Sequence, residues 1–278
     1  MKPTVSVVIP AFNNAEYIEA TMRSVLGQTF QDFELIVADH SSTDATAELL
    51  RQFESDPRVR LISTPAGGGA ARNWRRVTAE ASGEYIKLVC GDDIIYPQCI
   101  DTQLNSFSDG VNMVSARRDV VDSEGRTIVS NRGLPGLVGR IAGTKAVRAT
   151  VRSGTNVFGE PASVMFRRSA LVNAGSWDTA EHYLIDEATY VSVLMDGDHV
   201  GIAESLGSFR VSDSQWSVRL AKTQAREAIA FHRRLAAAHP ELLSPFDVWV
   251  GNLKARVLAL GRRLIYVALA IRKTLEKK

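Results

Sequence analysis

Apolar positions along the chain follow two periods, and their alternation lays out the first hundred residues. Thr4-Val5-Ser6-Val7-Val8-Ile9 is a nearly unbroken β-branched run, the pattern of a strand covered on both faces. Pro10 is expected to stop it, because proline donates nothing to a ladder. Ile18, Met22, Val25 and Leu26 then recur at helical spacing, with Asn13 or Asn14 available as the cap. The scheme repeats with a strand over 33–38 and a helix that starts among Ser42, Thr43 and Asp44 and buries Leu49, Leu50 and Phe53. A strand over 59–62 follows, then Gly67-Gly68-Gly69 opening a helix over 70–81, then a strand over 85–89. Strands and helices alternating at this spacing predict an α/β fold of βαβ units around a mostly parallel sheet. Right-handed crossovers bring Asp39, the glycines and Asp92-Asp93 to one edge of that sheet, where open α/β sheets bind ligands.

Beyond Pro97 the pattern loosens. A strand is expected over 111–115, and Val120-Val121 and Ile128-Val129 flank Ser123-Glu124-Gly125 as a small hairpin would. The glycine-rich stretch 131–143 reads as a loop long enough to move. A strand over 162–166, a helix over 186–195 and two long helices over 214–238 and 245–273 complete the reading. In the last helix Leu253, Val257, Leu260, Leu264, Val267 and Ile271 share one face, ringed by Lys254, Arg256, Arg262, Arg263, Arg272 and Lys273. Such a stripe lies in a membrane surface, or packs on the rest of the chain or on a second subunit as a homodimer.

Composition narrows the function classes. With 278 residues, 45% hydrophobic and 23% charged, the chain has the make-up of a soluble globular protein. A net charge of +2 implies no global attraction to nucleic acid. Cys90 and Cys99 form no metal-ligand pattern, and the five histidines show no ligand spacing, so zinc is not expected. No basic-then-apolar leader and no apolar window of roughly 18 residues occur, so a cytoplasmic setting, at most peripheral to a membrane, is expected. Trp74 and Trp249 are expected to serve packing.

The chemistry gathers where the fourth strand ends. Asp92 and Asp93 are two oxygen-ligand side chains suited to a hard divalent cation, or else a solvated turn. Around them, Val5–Asn13 as VSVVIPAFN, Ser24-Val25-Leu26-x-Gln28, Asp39-x-Ser41-Ser42-Thr43-Asp44, Gly68-Gly69-Ala70-Ala71-Arg72-Asn73 and Ala81-Ser82-Gly83-Glu84-Tyr85-Ile86 occur in order. In that order and spacing the chain resembles inverting family 2 glycosyltransferases, enzymes of the GT-A fold that use nucleotide-diphosphate sugars. The similarity continues through Gly159-Glu160-Pro161, Arg167-Arg168 and Gly175-Ser176-Trp177-Asp178 to Arg210.

The resemblance implies roles. Pro10, Ala11 and Asn13 would frame the base, and Asp39 would accept the imide N–H of uracil or thymine, the other reading of Asp39 being a helix cap. Arg72 could reach the nucleotide from a helix whose glycines serve equally as a plain turn. Asp92 would touch the ribose and Asp93 would bind Mg²⁺ or Mn²⁺, although Cys90 stands where the family often has a further Asp. Asp186 would be the base that accepts the acceptor hydroxyl's proton, with Glu187 beside it; acids also favour the first turn of any helix. Ile185 replaces the acid usual before that position, and Ser212 stands where a late-loop His is often found. Glu160 and Trp177 would line the pocket for a glycan or lipid-linked acceptor. The resemblance sets a glycosyltransferase domain at 1–220, with a nucleotide half at 1–98 and an acceptor half at 99–220, before a helical extension at 221–278. A nucleotide-sugar-binding protein without transferase activity is the alternative. A dinucleotide-binding dehydrogenase is disfavoured, since Pro10-Ala11-Phe12-Asn13 replaces the glycine fingerprint after the first strand.

Overall fold

A computed structural model describes residues 2–178, 180, 183–211 and 223–276, with side chains to Gly261. The first half is built as the periodicity predicts: β1 (Val5–Ala11), α1 (Ile18–Leu26), β2 (Phe33–Asp39), α2 (Thr46–Arg51), β3 (Val59–Ser63), α3 (Gly69–Ala79) and β4 (Tyr85–Leu88). β3, β2, β1 and β4 lie side by side and parallel. β1 does not stop at Pro10: Pro10 pairs with Ala38 and Ala11 with Asp39. The carbonyl of Val8 takes Val89 N–H and that of Ala11 takes His40 N–H. By alternation Pro10 faces the β4 side, where β4 has ended, so its missing N–H costs no ladder bond.

The second half joins the same sheet with mixed polarity. After β5 (Ile94–Ile95) and α4 (Cys99–Leu104) come β6 (Val111–Val121), β7 (Thr127–Arg132), β8 (Gly139–Ile141) and α5 (Gly143–Ser153). A 3₁₀ turn (Pro161–Ser163), β9 (Val164–Arg167), α6 (Arg168–Asn173), α7 (Ile185–Leu194) and β10 (Asp198–Arg210) follow. α8 (Gln224–Ala238) and α9 (Pro245–Glu276) close the chain. β9 joins β4 and β6 antiparallel, and β10 runs parallel to β6. The hairpin around Gly125 forms as expected, pairing Val120 with Val129. The 131–143 stretch is not a free loop: Leu134 and Leu137 are buried, and β8 pairs with β10. β10 itself escaped the periodicity, because register shifts at Ile202/Ser205 and Ser205/Ser208 break its alternation.

Strand alternation sorts the core into two layers. Val5, Val7 and Ile9 face α1, α2 and α4 with Met22, Leu50 and Ile100, while Val8 faces the side of α3, α5, α7 and α8 with Val77, Val147, Tyr190 and Phe231. Each fully buried Val, Ile or Phe contributes about 1.5–3 kcal/mol, so the sheet edge that carries the loops below rests on a well-anchored platform. Trp177 belongs to this core rather than to a pocket. It is 1% exposed, donates its indole N–H to Thr78 Oγ1 at 2.7 Å and meets Trp74 edge-on at 5.0 Å. Its expected acceptor contact is therefore corrected, and Trp74 is confirmed as packing.

Candidate active site

Ala11, Asp39 and Ser63 end three parallel strands in register. The loops that leave the first two are stitched together. Asn13 N–H donates to Ser42 Oγ at 3.0 Å, Thr43 N–H to Asn13 Oδ1 at 2.8 Å, and Asn14 N–H to Thr46 Oγ1 at 2.8 Å. Asn13 holds φ at 51°, a left-handed conformation that Asn tolerates better than most residues. The side chain of Asn14 turns back to Phe12 N–H at 2.8 Å and caps nothing. Pro10 and Ala11 are buried beneath this lip, and Asn13 is exposed on it. Asp39 is half-buried and accepts the Ser42 hydroxyl. It does not cap α2; Asp44 does that work, accepting Thr46 N–H at 3.0 Å. The Gly67-Gly68-Gly69 run has φ of 92°, 80° and 67°, all left-handed, and its Gly67 carbonyl is bound by His40 Nε2 at 2.9 Å. Arg72, one turn on, is exposed and lays its aliphatic stem over Gly68.

The Cys90–Asp93 turn faces these loops. Asp93 N–H closes it on the Cys90 carbonyl at 3.1 Å. A Cβ at Gly91 would stand 2.6 Å from Asn14 Oδ1, so only glycine lets the turn approach the first loop this closely. The two carboxylates differ. Asp92 is half-buried, whereas Asp93 is 1% exposed and turned inward. One Asp93 oxygen takes Arg210 N–H at 3.1 Å, and the Asp93 carbonyl takes the Thr21 hydroxyl at 2.9 Å. Burial, then the charge of Asp92, pushes the Asp93 carboxyl well above the usual range despite the Arg210 amide. Of the pair, Asp93, expected as the metal ligand, is the buried one and has one oxygen on the Arg210 N–H, whereas Asp92 is the more accessible.

Arg210 is the residue that sequence reasoning saw only as the far end of a resemblance. Its Nε donates to the Asp92 carbonyl at 3.0 Å, its Nη1 to the Asp122 and Ser123 carbonyls at 3.1 and 3.0 Å, and its guanidinium lies 4.5 Å from the Tyr17 ring centroid. It thus ties the acidic turn, the β6–β7 hairpin and the first loop together. Ser212, the other late-loop position, lies outside the described residues.

A second group of acids approaches from α7 and the 3₁₀ turn. Asp186 is half-buried in the first turn of α7. Its Oδ2 accepts Asn156 Nδ2–H at 2.8 Å and its Oδ1 accepts Glu187 N–H at 2.7 Å. Burial raises its pKa to about 6, helped by the charge of Glu160 and opposed by the two donors. Asn156 is itself fixed, donating to the Gly159 carbonyl and accepting from Phe158 N–H. Glu160 sits just before Pro161 and is gripped by Arg118 through Nε at 2.6 Å and Nη2 at 3.0 Å. Burial pushes the Glu160 carboxyl up, but the Arg118 guanidinium outweighs it and keeps it ionised. Glu187 is separated from this group. It is buried and accepts Thr150 Oγ1–H at 3.1 Å, linking α7 to α5, so its expected catalytic share is corrected. Neither Arg118 nor Asn156 carried a sequence signal, because their partners come from segments 30 to 42 residues away.

Cys90 stands between the two groups. Burial first, then the charges of Asp93, Asp92, Asp186 and Glu160, hold it as a neutral thiol. A protonated thiol is no ligand for a hard cation, so the donor set here is carboxylate oxygen. Among the described residues no cluster of three or more His, Cys, Asp or Glu is arranged to hold a metal unaided. The set therefore fits an ion that takes one or two carboxylates and completes its shell from phosphate and water, as Mg²⁺ and Mn²⁺ do.

Residues 6–173 match the family described as Glycosyl transferase family 2. An uncharacterized protein of Mycobacterium tuberculosis, MT1568, is 30% identical over 257 residues, 89% of this chain and 79% of that protein. A putative teichuronic acid biosynthesis glycosyltransferase of Bacillus subtilis, TuaG, is 38% identical over 33% of this chain and 37% of its own length. The chondroitin synthase of Pasteurella multocida is 38% identical over 38% of this chain, which spans 11% of that enzyme. Among solved structures, S. aureus TarS 1–349 in complex with UDP-GlcNAc superposes with a TM-score of 0.67 at 16% identity, covering 85% of this chain and 66% of that one. The Pyrobaculum calidifontis mannosyltransferase PcManGT, in complex with GDP-Man and Mn²⁺, gives 0.62 at 16% identity over 98% and 81%. By its sequence match and by the sheet on which the two acidic groups meet, the chain belongs to glycosyl transferase family 2, a glycosyltransferase of the GT-A fold.

Proposed function

We propose that the enzyme transfers a sugar, with inversion, from a nucleoside diphosphate, UDP or dTDP in preference, to a hydroxyl of a glycan or lipid-linked acceptor. The observation that carries this is the meeting of two unlike acids around Cys90: Asp92 on a strand-end turn, and Asp186 at a helix start, its pKa raised by burial to about 6. Asn13 and Asp39 would receive the base, with Asp39 accepting its imide N–H in the charge-assisted way that separates uracil from cytosine. Arg72 is within the same loop system and would meet the nucleotide. Asp92 would serve ribose and cation together, and Asp93 would position it from behind.

A diphosphate would not settle among Asp92, Glu160 and Asp186 without intervening positive charge, which supports a divalent cation. Bound there, Mg²⁺ or Mn²⁺ would neutralise the leaving diphosphate as a Lewis acid. Asp186 supplies the other half. At neutral pH it is mostly ionised, and with one donor on each oxygen it keeps lone pairs for an acceptor hydroxyl. Taking that proton as the hydroxyl oxygen attacks the anomeric carbon, on the side opposite the diphosphate, yields the inverted product. Glu160, neutralised and fixed by Arg118, would bind acceptor hydroxyls beside the base.

Transfer or hydrolysis assayed with UDP-, dTDP- and GDP-sugars, with and without Mn²⁺, tests the reading, and the product's anomeric configuration by NMR tests inversion. A retained configuration, or activity indifferent to chelation, would overturn the corresponding half. Binding of donor with neither transfer nor hydrolysis would favour a sugar-nucleotide-binding role.

A further inference from the structure

Over its described side chains, the apolar stripe of α9 does not pack on the body of the protein. The helix buries the opposite face, where Asp247, Gly251, Ala255 and Ala259 meet α5 and α8, and Gly251 lies so close that a Cβ would stand 2.2 Å from the Val151 carbonyl. Phe246, Trp249, Leu253, Val257 and Leu260 fall at i, i+3, i+7, i+11 and i+14 and are 47–62% exposed. Trp249 stacks on the equally exposed Phe246 at 6.0 Å rather than entering the core, so the expectation that it serves core packing is corrected. Beside this stripe, Arg226 and Arg233 of α8 and Arg256 of α9 line one open groove with Ile229. None of the three has a carboxylate partner among the described residues. From residue 248 to 275 the sequence holds six Lys or Arg and no Asp or Glu.

We infer that this face docks on an anionic lipid bilayer, the stripe entering the interfacial region and the three-arginine groove receiving lipid phosphate headgroups. A second copy of the chain fits less well. A two-fold contact through the same patch would set Arg226, Arg233 and Arg256 against their own counterparts with no acid to separate them. An apolar stripe flanked by arginines suits the boundary between acyl chains and headgroups, and α9 is not apolar enough over its described residues to cross it. The inference stands independently of the catalytic reading.

The test is co-sedimentation of the full chain with vesicles of phosphatidylcholine alone and of phosphatidylcholine with roughly one third phosphatidylglycerol. Strong pelleting with the anionic vesicles, lost in high salt and weak with the neutral ones, is expected. Replacing Arg226, Arg233 and Arg256 together by Ala should lower the anionic partition about a hundredfold, at about fivefold per arginine. Trp249→Ser with Val257→Ser should lower binding to both vesicles. All five side chains are exposed, so the variants should keep wild-type unfolding temperatures and wild-type stabilisation by UDP-sugar, which separates this test from failure of the donor site. Absence of pelleting at low salt, or equal pelleting with both lipids, overturns the inference. A dimer in analytical ultracentrifugation that W249S/V257S dissolves, without vesicle binding, assigns the face to a second copy instead.

Discussion

In the proposed reaction Asp186 is the base, and its environment fixes how activity should respond to pH. A carboxyl raised to about 6 loses its basic form as pH falls through that value, so kcat should decline on the acid side with a midpoint near it. Glu160→Gln removes a nearby negative charge that raises Asp186, and should move that midpoint to lower pH. Asn156→Ala removes a donor to the carboxylate, and should move it higher. Shifts in the same direction for both would mean that Asp186 does not govern the profile. Asp186→Asn should lower kcat by about 10²–10⁴ with donor binding kept, whereas Glu187→Gln should keep kcat and act on stability alone. The aspartate pair divides likewise. Asp92→Asn should remove Mn²⁺-dependent donor binding in a folded protein, while Asp93→Ala should lower the unfolding temperature first, because the Arg210 N–H loses its buried acceptor. Calorimetric titration of donor, with and without Mn²⁺, alongside thermal unfolding, tells the two apart.

At the scale of elements, α9 is held to the body by its first turn. Ser244-Pro245-Phe246-Asp247 is a capping box: Asp247 N–H donates to Ser244 Oγ at 3.2 Å and Asp247 Oδ2 accepts Ser244 N–H at 3.0 Å. The same carboxylate, fully covered, takes Arg152 at 2.7 Å and Arg148 at 3.0 Å from α5. Burial alone would raise it, but Ser244 and the two arginines hold it well below the usual range. Its contribution is therefore present above about pH 4, the carboxylate's unfolded value, and fades as pH falls below it. Both arginines are about half exposed, so solvent screens the pair, and Asp247→Ala should cost about 1–3 kcal/mol. Urea unfolding at neutral pH and again at pH 3 would check it, since the gap between wild type and variant should narrow in acid.

For the whole molecule, a donor that binds only the folded state should stabilise it by about 2.7 kcal/mol at a hundredfold over Kd, and the base that does so identifies the nucleotide. The sequence determined by itself that strands and helices would alternate through residue 88, and that Asp39, the glycines at 67–69 and Asp92-Asp93 would lie on one edge. Those follow from local periodicity and from the fixed hand of crossovers, which need no knowledge of distant residues. The place of Asp186 in the first turn of a helix was legible as well, through the resemblance. Tertiary structure alone decided what the neighbours do. Asp92 and Asp93 are adjacent and chemically alike, yet Asp93 is buried against a backbone N–H from Arg210, 117 residues on, while Asp92 is only half-buried. Trp177 looks like a sugar platform until Thr78, 99 residues earlier, takes its N–H. The stripe on α9 was readable as a stripe, but whether it faces protein or solvent depends on which side α5 and α8 occupy. Periodicity shows that a helix has two faces; only the packing of elements remote in the chain decides which one is buried.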